Sequence, residues 1–366
     1  MLATTHRHTV LETTACELFE QAGNSFQRGE CHRSRVLATR ALRLFEAESG
    51  SNHPDVANVR NLLGQIATEL GDNATAREQH ARAVRITRRW QSHPDVARIF
   101  AQAVCQLANA EINLGHFDQA RATALGGLKI ARRTLGRDDP DVASLHNVIG
   151  IAGKYSARFA EARRHYLRAL TILEQQLGGG HADLASIYHN LGGLEHAAGN
   201  FAVGESFART AVVIRRAALG PNHPHVIADE CALAGVLDGL GRFEESLPIY
   251  RRALRYWRRR HGAEHYEIAV NLNNLAAIHH ARGRLALAER LYQRALKMKR
   301  RLLGDQHPDV GLTLHNVAVL ADDRGNRRAA EAAITEALRI FQSACGAAHP
   351  HTLDAHRLHE QLHATR

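Results

Sequence analysis

Along most of this chain, apolar and small residues return at intervals of three, four and seven, which places them on one face of an α-helix, and no stretch shows the strict alternation of a strand. The helical segments carry a fixed punctuation. Gly136, Gly178, Gly220, Gly262, Gly304 and Gly346 stand 42 residues apart, and three residues beyond them lie Asp139, His181, His223, His265, His307 and His349, usually against a proline. Eighteen positions past the junction come Ala157, Gly199, Gly241, Gly283 and Gly325, which divide each unit into two segments of helix length. The predicted fold is all-α: an α-solenoid of antiparallel helix pairs, about eight of them, closed by a C-terminal capping helix.

Small residues recur where two helices must cross. In the first helix an apolar residue precedes a small one at offsets ten and eleven from the junction (Leu63/Gly64, Ile149/Gly150, Leu191/Gly192, Leu233/Ala234, Leu275/Ala276, Val317/Ala318). In the second helix the small position is Ala120, Ala162, Gly204, Ser246, Ala288 or Ala330. Such pairs let backbones approach while Leu, Tyr and Phe fill the remaining space. The junction glycines suit a left-handed helix end, and Pro54, Pro94, Pro140, Pro224, Pro308 and Pro350 suit the first turn of the next helix. Asp55, Asp95, Asp141, Asp183, Glu267 and Asp309 then meet the positive end of the helix dipole, so the recurrent His before Pro reads as part of a turn and not as a ligand.

The phase sets repeat units at about 9–52, 53–92, 93–138, 139–180, 181–222, 223–264, 265–306 and 307–348, a capping helix over 349–363, and a disordered tail over 1–8. With no Pro/Ser linker in between, 9–363 is expected to form a single domain. The step from His93 to Asp139 is 46, its four additional residues falling inside a first helix near Ala97 to Val104. Four residues make slightly more than one turn, so the apolar face returns nearly to register.

The stretches HYEIAVNLNNLA (His265 to Ala276), GRLALAERLYQRALKM (Gly283 to Met298) and LGDQHPDV (Leu303 to Val310) carry a resemblance to the tetratricopeptide repeat, in the long 42-residue variety of kinesin light chains and many bacterial repeat proteins. It covers roughly residues 10 to 363. The coiled coil that joins kinesin light chains to their motor is absent, so a motor role is not implied.

Composition narrows the function. The net charge of +10 comes from 47 Lys and Arg, only four of them lysines. Arg132, Arg216, Arg258 and Arg300 recur at multiples of 42 near the ends of second helices; they are either a solvated face that complements the helix dipoles or a basic ridge, and Glu174 breaks the row. The five cysteines are scattered without C-x-x-C spacing, which predicts reduced, mostly buried thiols in a cytoplasmic protein, and no apolar run is long enough for a membrane span. No phosphate-loop, dinucleotide, zinc-protease or nucleophile-elbow motif occurs; His6/His8 and His279/His280 lack further ligands. Neither enzyme activity, cofactor nor metal is expected.

The resemblance implies that first helices line a concave groove, with offset eight facing it. That column and its neighbours hold Asn61, Gln106, Asn147, His189, Asn190, Asn273, Asn274, His315 and Asn316, with Lys154, His196 and His280 at offset fifteen. A side-chain amide both donates and accepts, so such a column can bond the backbone of an extended peptide without regard to its sequence; alternatively these amides cap or bridge neighbouring helices. The repeat clamp that grips a terminal carboxylate uses Lys and Arg here, so neutral residues disfavour that ligand. The sequence thus points to a scaffold for a protein or peptide partner. Its alternative is a binder of nucleic acid or another polyanion through the Arg ridge, and self-association is a lesser possibility.

Overall fold

A computed structural model describes residues 10–90, 93–347 and 349–364, and among these every regular element is helical. The tail at 1–8 and the His6/His8 pair lie outside the described residues. The chain forms two compact units, one ending at Ile149 and the other beginning at Gly150. The first holds α1 (Val10–Gln27), α2 (Cys31–Ser49), α3 (Pro54–Glu69), α4 (Asn73–Thr87), a short 3-10 turn (Arg88–Trp90), α5 (Pro94–Asn113), α6 (Phe117–Thr134) and most of α7 (Pro140–Tyr155). The second holds the end of α7, α8 (Phe159–Leu177), α9 (Ala182–Ala197), α10 (Phe201–Leu219), α11 (Pro224–Gly239), α12 (Phe243–His261), α13 (Tyr266–Ala281), α14 (Leu285–Leu303), α15 (Pro308–Asp323), α16 (Arg327–Cys345) and α17 (Pro350–Ala364). Each unit is a stack: α3 packs on α4, α9 on α10, α13 on α14, and the second helix of one pair packs on the first of the next.

The recurrent glycines set how closely paired helices cross. A Cβ on Gly64 would stand 2.5 Å from the His80 ring, one on Gly150 2.5 Å from the Tyr166 ring, and one on Gly192 3.2 Å from the backbone nitrogen of Ala208. His80, Tyr166 and Ala208 occupy the same place in their helices, four residues beyond Ala76, Ala162 and Gly204. The rings of His80 and Tyr166 are fully buried against the glycine, and where the partner is Ala208 the two backbones themselves meet. Tyr250 and Tyr292 hold the same place in later pairs and are also buried.

The additional four residues fall where the spacing puts them: α5 has 20 residues, whereas α3, α9, α11, α13 and α15 have 16. The junction histidines are helix N-caps. The backbone N–H of Asp55, Asp183, His225, Glu267, Asp309 and His351 donates to Nδ1 of the histidine two residues before it, at 3.1–3.4 Å. Asp139 does the same work with a carboxylate oxygen at 2.8 Å.

Two expectations are corrected. The junction glycines have positive φ but are not left-handed helical: Gly178, Gly220 and Gly304 have φ of 79, 81 and 84° with ψ of 157, 160 and 159°, a region essentially reserved for glycine, because the chain must leave the helix extended to reach the next cap. All five thiols are free, but only Cys105 and Cys231 are buried and Cys16 is exposed.

At the turn within each pair the slot filled by Gly71, Gly115, Gly199, Gly241, Gly283 and Gly325, all at positive φ, is taken once by Ala157, at φ 56°. An L-residue pays a steric penalty there of about 1–2 kcal/mol, partly offset by glycine's larger chain entropy. Ala157→Gly is expected to raise stability by about 0.5–1 kcal/mol, read as a higher thermal midpoint; a lower midpoint would show that the methyl contributes packing that outweighs the strain.

Candidate functional site

In the second unit the first helices lie against one another in sequence, α9 on α11, α11 on α13, α13 on α15 and α15 on α17. His349, at the start of α17, comes back to the end of α7, where its Nε2 lies 2.8 Å from the carbonyl oxygen of Tyr155. Six helices laid flat at roughly 9 Å spacing would put α7 and α17 about 45 Å apart. The row therefore curls until the start of α17 meets the end of α7. The contact also fixes the His349 tautomer, since Nδ1 accepts from the His351 N–H at 3.1 Å and Nε2 must supply the proton to the carbonyl. Burial lowers the pKa of this imidazole, as a neutral double role requires.

The recess is polar in a specific way. His189 Nδ1 lies 2.8 Å from Asp229, whose other oxygen accepts from Arg215 Nε at 2.6 Å, and Arg215 Nη2 donates to Ser186 at 3.1 Å. Asp229 is 2% exposed and anchors the half-buried His189 ring through Nδ1. Further along, Tyr266 donates to Asp309 at 2.6 Å, and Lys299 Nζ donates to the Asp309 carbonyl at 3.3 Å. Burial on its own raises the Asp309 pKa, but Lys299, His307 and the Tyr266 hydroxyl outweigh it and hold the carboxyl below its usual range. Burial also pushes His315 and His196 down, the latter with help from Lys154.

The predicted groove residues divide between the two units. Asn61, Gln106 and Asn147 belong to the first; Asn61 is buried and faces His80 Nδ1 at 3.3 Å, in the manner of a bridge within its own helix pair. The others belong to the second. Asn316 donates to Asn273 at 3.4 Å, and Asn273 donates to Asn274 at 3.4 Å, so these amides form a lateral ladder from α15 to α13. Lys154 reaches α9, its Nζ 3.6 Å from where a Cβ on Gly193 would be and 4.5 Å above the Tyr155 ring. His280 Nε2 pairs with Asp323 at 2.6 Å; together with His315, Asn316 and Tyr292 they line a recess of about 660 Å³ between α13 and α15. His189, Asn190 and His196 lie on α9.

Sequence reasoning missed Tyr155, Asp229, Tyr266, Asp309 and His349. One of them carried a signal: Tyr266 replaces the proline found as Pro140, Pro224 and Pro308, whereas Asp229 stands in a column that also holds Leu145, Ile187, Asn271 and Thr313.

In the ridge, Arg216 is bound to Glu230 at 2.5 Å and Arg300 to Glu336 at 2.7 Å, whereas Arg132 and Arg258 are exposed. Arg300 is thus neutralised locally, whereas Arg216 shares the single carboxylate of Glu230 with Arg252. Among the described residues no helix is long and apolar enough to cross a membrane, and no three His, Cys, Asp or Glu side chains are grouped to hold a metal ion.

Stacked helix pairs with small residues at their crossings define a helical-repeat protein, and the comparisons specify which. The tetratricopeptide repeat family model matches residues 13–89, 100–175, 155–203, 183–259, 228–301 and 267–343, so the chain belongs to the tetratricopeptide repeat family. No curated protein matches it. Among solved structures it is similar to the apo form of RapI, at 17% identity and TM-score 0.61, covering 79% of this chain and 98% of that one. It is also similar to a Rap protein complexed with competence and sporulation factor, at 12% identity and TM-score 0.62, covering 90% and 98%. A putative kinesin light chain from Podosopora anserina with nearly identical TPR-like repeats matches at 18% identity and TM-score 0.45, covering 58% and 99%.

Proposed function

We propose that the chain is a non-enzymatic interaction scaffold that takes an extended segment of a partner protein along the concave first-helix face of its second unit. The observation that carries this reading is the row of half-buried polar groups on the first helices: the His189 ring anchored by Asp229, Asn190 beside it, the Asn273/Asn274/Asn316 ladder, and His280 and His315 around the recess. An amide that spends one donor on its neighbour keeps a second donor and acceptor capacity, so the ladder orients these groups without exhausting them. Main-chain bonding of this kind supplies affinity, and side-chain recesses such as that beside Tyr292 supply selectivity. The same fold is seen in a Rap protein complexed with competence and sporulation factor. Ion pairing of Arg300 with Glu336 and Asp305 takes one guanidinium out of the ridge and makes it a poorer surface for a polyanion.

Replacing Asn190, Asn274 and Asn316 together by Ala is expected to abolish capture of partner proteins in an affinity pull-down, with helicity by circular dichroism unchanged. Unaltered capture by a folded triple variant would sink the groove reading.

A further inference from the structure

The second helices α10 and α12 carry a feature that the proposed groove does not use. Between α10 and α12 a cleft of about 480 Å³ opens onto α11. Its apolar lining is Val212, Val213, Leu233, Pro248 and Ile249; Val213 is 67% exposed, the largest exposure of any large apolar side chain among the described residues. In chain position Pro248 corresponds to Arg164, Ser206 and Arg290 in other second helices, and Val213 to Thr171, Arg255 and Lys297, so these two exposed positions are apolar where their counterparts are polar. It lies inside α12, where proline removes a backbone donor, an arrangement that costs helix stability and gives nothing to the core from an exposed position.

The rim is cationic. Glu230, 6% exposed, lies at the floor with one oxygen on Arg216 and the other on Arg252, two guanidiniums for one carboxylate. Each guanidinium has five N–H groups, and Arg252 spends another on the Pro221 carbonyl at 2.7 Å, so donors remain at the mouth of the cleft. Beyond it, α12 exposes Arg255, Arg258 and Arg259, none of which makes an ion pair among the described residues. At the other end Arg209 is already spent on Glu205 at 2.7 Å. The excess of positive charge is therefore confined to the end where α10 and α12 finish.

We infer that this cleft is a docking surface for an acidic amphipathic helix of a partner protein, its apolar side chains seated on Val212, Val213, Pro248 and Ile249 and a carboxylate one or two turns on held by Arg216 and Arg252. The cleft runs from Arg209 to Arg216 along α10, about 10 Å of helix, which matches apolar anchors at i and i+4 followed by a charge at i+7 or i+8. This surface is separate from the concave face and does not depend on it.

The probe is a fluorescent helical peptide with Leu at i and i+4 and Glu at i+7 and i+8, compared with the same peptide carrying Lys for Glu. Anisotropy is expected to show binding of the acidic peptide at least about tenfold tighter than the lysine peptide, weakening as salt rises, and lost by about tenfold or more in Val213→Glu. Because Val213 is exposed, that variant is expected to keep the wild-type thermal midpoint, and the triple asparagine variant of the concave face is expected to bind the acidic peptide normally. The inference is overturned if both peptides bind alike, if neither binds at about 100 µM, or if Val213→Glu binds as well as wild type. A dimer by sedimentation that Val213→Glu dissolves would also overturn it, by making a second copy of the chain the occupant.

Discussion

Tyr166→Ala is expected to lower stability by about 3–5 kcal/mol, whereas Tyr166→Phe is expected to be neutral or mildly stabilising. The ring is fully buried in the crossing of α7 and α8, but its hydroxyl is buried without a hydrogen-bond partner, so the contribution lies in packing and not in the oxygen. The opposite error at the same place, Gly150→Ala, puts a methyl 2.5 Å from a ring that has nowhere to go, and overpacking of this kind costs about 1–3 kcal/mol. The decisive quantity is the coupling. In the double variant the new methyl fills part of the space the ring vacates, so the loss is expected to be smaller than the sum of the single losses by at least about 1 kcal/mol. Urea unfolding of the four proteins measures this, and strict additivity would show that glycine and ring are not partners.

The second large effect is acid sensitivity carried by His80. It fills the same place in α4 that tyrosine fills in α8, α12 and α14, with 0% exposure, and burial pushes its pKa from 6.5 to about 4. Nδ1 faces the Asn61 side-chain oxygen at 3.3 Å, so it bears the proton; Nε2 points at Gly64 with no partner, and a second proton would be an uncompensated charge among apolar groups. Because the folded state binds that proton less tightly than the unfolded chain, the stabilisation is fully present above the unfolded pKa near 6.5 and is lost as pH falls toward about 4. A difference of 2.5 units corresponds to about 3 kcal/mol. His80→Tyr adopts the residue of the other pairs. It is expected to keep stability near neutral pH within about 1 kcal/mol and to remove this share of the acid loss, visible as a flatter plot of urea midpoint against pH. Identical slopes for variant and wild type would show that His80 titrates as freely in the folded protein as in the unfolded chain.

The elements that recur were legible from the chain alone because each is local. A glycine at a helix end, a histidine two residues before an acid and a small residue at a crossing act within one or two turns and are stated several times by the repeat, and the four additional residues in α5 show as a single break in its step. The groove was legible as a column but not as a site. Asn61 occupies the same offset as Asn273 yet turns to His80, because a histidine in α4 offers a partner where α14 has Tyr292. The contact of His349 with Tyr155 spans 194 residues and depends on curvature accumulated over successive crossings, which no single repeat encodes. Tyr266 was detectable only as a departure from the repeat, Asp229 not even as that, and their partners Arg215, His189 and Asp309 come from neighbouring helices.

The concave face is tested most directly by where a bound partner touches it. A photo-crosslinking side chain at Ala277, exposed in the recess between α13 and α15, is compared with one at Gln293, exposed on the second helix α14. The account predicts that the captured partner is joined to the chain from position 277 and not from position 293, whereas joining from 293 alone would contradict it.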